Sequence, residues 1–221
     1  MLKLTNISRS FAQRGVVLDN LNLEAGMGDS IAITGPSGSG KTTLMNIIGA
    51  LDRPDSGDIL FRDASILSYS SDELAKYRNR NIGFVFQDHL LLNHLTIKEN
   101  IMLPVFAEKI SEKEYADKEE YTVLLMERIG ITGLKDKFPF QVSGGEAQRA
   151  TLVRALIAKP AIILADEPTG SLDSKNADLL GRLLIEMNRD FGITLIVATH
   201  SHDLASMMGL HLSLDDGKLK G

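Results

Sequence analysis

The 221-residue sequence predicts an α/β fold: a core built on a parallel sheet, an N-terminal antiparallel β subdomain, and an α-helical subdomain inserted between strands. Three observations carry this. Residues 30–34, 161–165 and 194–198 are short, continuous apolar runs, the pattern of strands buried on both faces. Residues 2–8 and 16–24 instead alternate apolar and polar positions, as half-buried antiparallel strands do. From Asp88 to Phe140 the character changes and helix-starting signals dominate. The chain therefore reads as one domain over 1–221, with 1–87 and 141–221 forming the core and its β subdomain, and 88–140 the inserted lobe.

In order, Gln13-Arg14-Gly15 turns the first alternating strand into the second. Residues 29–50 give a strand, a Gly-rich loop and a segment with helical apolar spacing. Pro54-Asp55-Ser56-Gly57 is a turn leading into a strand over 58–62; 71–79 reads as helix and 82–86 as strand. In the lobe, Thr96 with Glu99 and Ser111 with Glu114 are capping boxes, and Pro104 is expected to end or kink the first of these helices. The charge over 109–118 reads as a solvated helix face, and 135–140 leads back to the core. Residues 143–158 carry few polar positions and predict a largely buried helix. Leu179, Leu180, Leu183, Leu184 and Met187 repeat at helical spacing and read as core. Asp215-Asp216-Gly217 is a tight turn.

Composition narrows the function. A net charge of −5 with no long basic run argues against a nucleic-acid partner. There is no cysteine, which excludes disulfides, thiol catalysis and Cys-ligated metals and suits a cytosolic setting. No apolar run approaches the roughly 18 residues that span a bilayer, and residues 1–6 lack a signal-peptide core, so a membrane role must come through a partner.

The chemistry centres on Gly35-Pro36-Ser37-Gly38-Ser39-Gly40-Lys41-Thr42, followed by Thr43. It fits G-x-x-x-x-G-K-[ST] between a predicted strand and a predicted helix, which makes the core that of a P-loop NTPase. Glycines let backbone N–H groups approach phosphate oxygens, and the positive end of the following helix holds the anion. Lys41 can reach the β- and γ-phosphates, and the Thr42 hydroxyl can ligate Mg²⁺. Asp166 and Glu167 appear where an apolar strand ends; adjacent strand residues face opposite ways, so they are expected to do different jobs. Asp166 is the natural partner of Mg²⁺ beside Thr42, and Glu167 can orient or deprotonate a water for attack on the γ-phosphate.

Val142-Ser143-Gly144-Gly145-Glu146 by itself is a helix N-cap in a flexible turn. Placed upstream of Asp166 and opening an Arg-containing helix, it resembles the Leu-Ser-Gly-Gly-Gln signature of ATP-binding cassette (ABC) ATPases, and the resemblance covers essentially the whole chain. That resemblance implies ATP and Mg²⁺ as ligands. It implies that Phe11 stacks on adenine, with a core Phe as the alternative, and that Gln87 senses Mg²⁺ and the attacking water. It further implies that Ser171-Leu172-Asp173 reaches across to another subunit and that His200 contacts the γ-phosphate, His202 being the competing candidate. Two copies are expected to pair head to tail, with ATP between the phosphate loop of one and Ser143, Gly144 and Gly145 of the other. A separate membrane permease is expected on the helical subdomain, with the apolar stretch 90–95 as candidate contact or as packing within the lobe. The location implied is peripheral, at the cytoplasmic face of the inner membrane.

Glu146 in place of Gln, with 51–57, 81–87 and 165–173, resembles the lipoprotein-releasing (LolD-type) and macrolide-export (MacB-type) branch. Val142 replaces the family's usual Leu, a mild apolar change, and Ala147 and Ser201 depart from the branch at positions that do no chemistry. Regulatory ABC ATPases of cell division and antimicrobial-peptide-sensing transporters share the same catalytic residues and are the alternatives. A DNA-repair or translation ABC protein is disfavoured by the compact acidic chain, and a GTPase by the lack of Asn-Lys-x-Asp.

Overall fold

The computed structural model describes residues 1–221. Strands β1 (Leu2–Phe11) and β2 (Gly15–Ala25) form an antiparallel hairpin. The chain then passes through β3 (Ser30–Thr34), α1 (Lys41–Ile48), β4 (Ser56–Phe61), β5 (Ala64–Ser65), α2 (Ser71–Asn81) and β6 (Ile82–Phe86). The lobe contributes α3 (Ile97–Phe106) and α4 (Glu112–Arg128). After it come α5 (Gly144–Leu156), β7 (Ile162–Asp166), α6 (Ser174–Phe191), β8 (Thr194–Ala198), α7 (His202–Ser206), β9 (Leu210–Asp215) and β10 (Lys218–Lys220). One sheet is antiparallel in the order β2-β1-β4-β5; the other runs β10-β9-β3-β8-β7-β6. In the second, β9, β3, β8, β7 and β6 are mutually parallel and β10 closes the edge antiparallel.

Strict period two divides the core. On β7 and β8, Ile163, Ala165, Leu195 and Val197 pack with α5 and α6. Their neighbours Ile162, Leu164, Ile196 and Ala198 pack with α1 and the antiparallel sheet. Continuous apolar runs follow because both faces are covered.

The hairpin reads differently from simple alternation. Leu2, Leu4 and Ile7 are all buried on β1, and Leu18, Leu21 and Leu23 on β2. The mismatch is absorbed at Asn6 (φ 53°) and Asn20 (φ 47°), where the pairing register shifts. Left-handed Asn residues at bulges return the next apolar residue to the same face.

Both lobe helices begin with the expected capping boxes, at Thr96 and Ser111. Pro104 does not end α3: the helix runs to Phe106, and the Ala107 N–H closes onto the Pro104 carbonyl. The missing N–H costs the helix its i→i−4 bond to the Asn100 carbonyl, and only Val105 and Phe106 follow before the helix ends. Residues 87–96, by contrast, are irregular. No helix is long and apolar enough to cross a membrane.

On α6, Leu180, Leu183, Leu184 and Met187 are buried as expected, but Leu179 is 40% exposed, because it lies off the packed stripe. The C-terminal hairpin β9–β10 was signalled only by its Asp216-Gly217 turn, both residues having positive φ. It joins the two sheets through the Asp19 N–H, which donates to the Gly217 carbonyl at 2.9 Å.

Leu184→Ala should therefore lower unfolding free energy by roughly 2–5 kcal/mol. Leu179→Ala, on the same helix, should change it by less than about 0.5 kcal/mol. Urea titrations of both variants read the contrast directly.

Candidate nucleotide site

Strand β3 ends at Thr34 and the chain enters the loop 35–40 before α1. Gly35 has φ 149°, and a Cβ there would lie 2.2 Å from the Leu214 carbonyl oxygen, so β9 presses directly on the base of the loop. Helix α1 has Gly40 at its N-cap, no side-chain cap and no acidic residue in its first turn. Its first N–H groups are left for an anion. Ser37, Gly38, Gly40, Lys41, Thr42 and Thr43 face a cleft of about 480 Å³ that also takes in Gln87, Glu167 and His200. Gly35, Pro36 and Ser39 of the same loop do not line that cleft. The Lys41 ammonium, only 8% exposed, donates to the Gly35 and Pro36 carbonyls at 2.8 and 3.1 Å and stands 3.9 Å from Glu167.

Asp166 is the last residue of β7, and Glu167 follows it with φ 47°. The two carboxylates diverge because the backbone leaves the strand in a left-handed turn, and not through the pleat as expected from sequence. Such a conformation in a non-glycine residue is strained. It is held by the Glu167 N–H to Ala198 carbonyl bond at 2.8 Å and by the Gly170 N–H, which donates to the Glu167 carbonyl at 3.0 Å. Glu167 Oε2 lies 2.7 Å from His200 Nδ1 and accepts the His200 backbone N–H at 3.2 Å. His202, the competing histidine, opens α7 instead and does not line the cleft.

Burial pushes the Asp166 carboxyl above its ordinary range, and a hydrogen bond from the Thr42 hydroxyl works in the opposite direction. Asp166 Oδ1 is buried without a partner. An orphaned carboxylate oxygen beside a hydroxyl is a hard-oxygen pair of the kind Mg²⁺ takes. No group of three or more His, Cys, Asp or Glu side chains is arranged to hold a metal ion by itself. Thr42 and Asp166 thus fit a cation that takes its other ligands from elsewhere, not an all-protein cage.

The remaining predicted residues lie apart from this cleft. Phe11, at the end of β1, is 37% exposed, which removes the core alternative, and the Arg9 guanidinium sits 4.8 Å from its ring centroid. Arg14 and Val17, just beyond it on the hairpin, do line the cleft and were missed. The signal was available: Arg14 lies in the turn that directly follows Phe11, and Val17 just after it. Ser143 caps α5, with Gly144 and Gly145 in its first turn; Asp173 caps α6. A Cβ on Gly145 would lie 2.5 Å from the Asn176 side-chain oxygen, so the glycine is required by the close approach of α6.

Glu146 completes the cap. Ser143 donates its N–H and hydroxyl to Glu146 at 2.7 and 2.8 Å, and the Glu146 N–H returns to the Ser143 hydroxyl. These bonds hold the Glu146 carboxyl below the usual glutamate range.

A Gly-rich loop, an uncapped helix start and two carboxylates at a strand end define a nucleoside-triphosphate site on a P-loop fold. The ABC transporter family model matches residues 18–170, and the chain belongs to that family. Within it, the chain is an ABC ATPase of the LolD type, the ATP-binding, ATP-hydrolysing subunit of a transporter. It is 41% identical to the lipoprotein-releasing system ATP-binding protein LolD of Bacteroides thetaiotaomicron, covering 100% of this chain and 99% of that one. The LolD of Oleidesulfovibrio alaskensis is 40% identical over 94% of this chain and 89% of its own length. A bacterial ABC transporter cassette solved as a dimer superposes with a TM-score of 0.89 at 36% identity, covering 100% and 97% of the two chains. A dimeric cassette in a post-hydrolysis state with ADP and Pi gives 0.86 at 36% identity, with the same coverage.

Because the folded carboxyl of Glu146 titrates below its unfolded value, its contribution is fully present above the unfolded pKa of about 4.3 and is lost as pH falls through the folded pKa. Glu146→Ala should cost about 1 kcal/mol at pH 7. That corresponds to a Tm lower by roughly 2–4 °C. The gap should close as thermal melts are taken to lower pH.

Proposed function

We propose that this subunit hydrolyses ATP in a composite site, and that the observation carrying this is the single cleft holding Lys41, Thr42, Gln87, Glu167 and His200. Backbone N–H groups of the loop and of the α1 start hold the β- and γ-phosphates. Lys41 leaves the Gly35 and Pro36 carbonyls and turns to the phosphates. Thr42 and Asp166, with Gln87, would hold Mg²⁺, which when bound would neutralise charge on the phosphates. Glu167 aligns the attacking water and accepts its proton, while His200, 2.7 Å from Glu167 Oε2, steadies that carboxylate and contacts the γ-phosphate. Arg14 and Val17, which line the cleft, and Phe11 on the same hairpin receive the adenine.

Two copies close head to tail, each bringing Ser143, Gly144 and Gly145 to the other's nucleotide and Asp173 across the junction. Supporting this, Ser143 and Gly144 are exposed at the N-terminus of α5 and lie outside their own chain's cleft. The similar cassettes are dimeric. Closure drives a separate membrane permease that binds the helical subdomain over 88–140. Leu90 and Leu92, 58% and 42% exposed just beyond Gln87, supply apolar contact. The subunit acts peripherally at the cytoplasmic face of the inner membrane, in lipoprotein release as the relatives' names describe.

Lys41→Ala should abolish tight ATP binding in a direct titration; retained micromolar affinity would remove the phosphate-loop assignment. Glu167→Gln should trap the closed pair, so light scattering should show a monomer-to-dimer shift only with Mg-ATP. A monomer under saturating ATP with wild-type turnover would remove the role given to Glu167.

A further inference from the structure

Gln87 sits at the start of an irregular segment, 87–96, whose own backbone offers little support. Leu90 within it has φ 47°, a conformation that a leucine adopts only under constraint. The carbonyls around Gln87 are accounted for by side chains from elsewhere. Gln148, 1% exposed on α5, donates both amide protons: to the Phe86 carbonyl at 2.5 Å and to the Pro168 carbonyl at 3.0 Å. Arg154, six residues further along α5, donates to the His89 and Leu90 carbonyls, each at 2.9 Å. The Ser171 hydroxyl reaches the Gln87 carbonyl at 3.4 Å, and Asn100 takes the Leu92 carbonyl and N–H.

We propose that Arg154 and Gln148 are positioning residues that clamp the Gln87 loop to α5, with Arg154 fixing the loop just past Gln87 and Gln148 tying its entry to the turn after Glu167. The clamp rests on the reading of Gln87 as a residue of the γ-phosphate end of the site. A guanidinium suits the task because it presents two donors in one plane to two successive carbonyls, and a charged donor makes the stronger bond. Burial lowers the pKa of Arg154, so holding it there has a cost that the two carbonyls offset. The same helix begins at Ser143. A shift of α5 imposed at its N-terminus by a second copy therefore carries the Gln87 loop with it, and Gln148 refers that shift to the segment bearing Glu167.

The test is a double-mutant cycle in Mg-ATP turnover of the full chain, combining Arg154→Met with Gln87→Ala. Arg154→Lys serves as the conservative variant, keeping the charge and supplying one of the two bonds; it carries the cycle where the Met variant fails to melt cooperatively. Arg154→Met should lower kcat by roughly tenfold or more with KM for ATP within about twofold, since misplacing one group affects the chemical step before ground-state binding. Arg154→Lys should recover part of that loss. In the Gln87→Ala background neither substitution should lower kcat further, because contacting and positioning groups that act as one unit are non-additive. An equal loss in both backgrounds overturns the clamp, as does a change confined to KM. Gln87→Ala with wild-type turnover removes the reading of Gln87 and the clamp together.

Discussion

One unsatisfied helix start organises this molecule. Six of its seven α-helices begin with a side-chain cap, from Ser70, Thr96, Ser111, Ser143, Asp173 and Ser201. The exception is α1, which follows Gly40 with no cap and no acidic residue in its first turn. Free N–H groups at a helix start attract an anion through both hydrogen bonding and the macrodipole. The parallel strands exist, in effect, to bring Gln87, Asp166, Glu167 and His200 to the same end of the sheet as that helix start. Ligands gather there in open α/β sheets because the strand ends leave a crevice.

Internal pairing occupies the cleft's charges. Lys41 is folded onto carbonyls of its own loop and near Glu167, and Glu167 touches His200. Buried charge must be paired or it is costly. In the proposed mechanism a phosphate entering the loop offers Lys41 a stronger partner than a carbonyl, which frees Glu167 toward the attacking water. Under the proposed mechanism the charges are thereby redistributed, not assembled from solvent.

Helix α5 is the other axis of the fold. Its first turn is rigidified by the Ser143–Glu146 box, so the departure from the commonest glutamine at 146 keeps a capping partner and adds a negative charge where the dipole favours one. Further along, Gln148 and Arg154 reach the backbone on either side of Gln87. Asn176 presses on Gly145 from the start of α6. One helix thus touches the segments bearing Gln87, Glu167 and Asp173.

The sequence by itself determined the central strands, most helix starts and the phosphate loop. Strands β3, β7 and β8 are continuous apolar runs because both sheet faces are covered, and capping boxes are local devices set by residues three apart. Spacing around Lys41 carries its own chemistry, since loop geometry needs glycine at fixed positions. What tertiary structure decided depends on distant chain segments meeting. Asn6 and Asn20 bulge because the sheet fixes which face is buried, a property no local window contains. Leu179 left the core because α6 buries only a stripe, and α3 continues two residues past Pro104. Glu167 parts from Asp166 through a left-handed turn held by Ala198, a residue on another strand. The grip of Gln148 and Arg154 on residues about sixty positions away could be read only after α5 had packed on β6, because hydrogen bonds to backbone carbonyls leave no mark on the sequence that receives them.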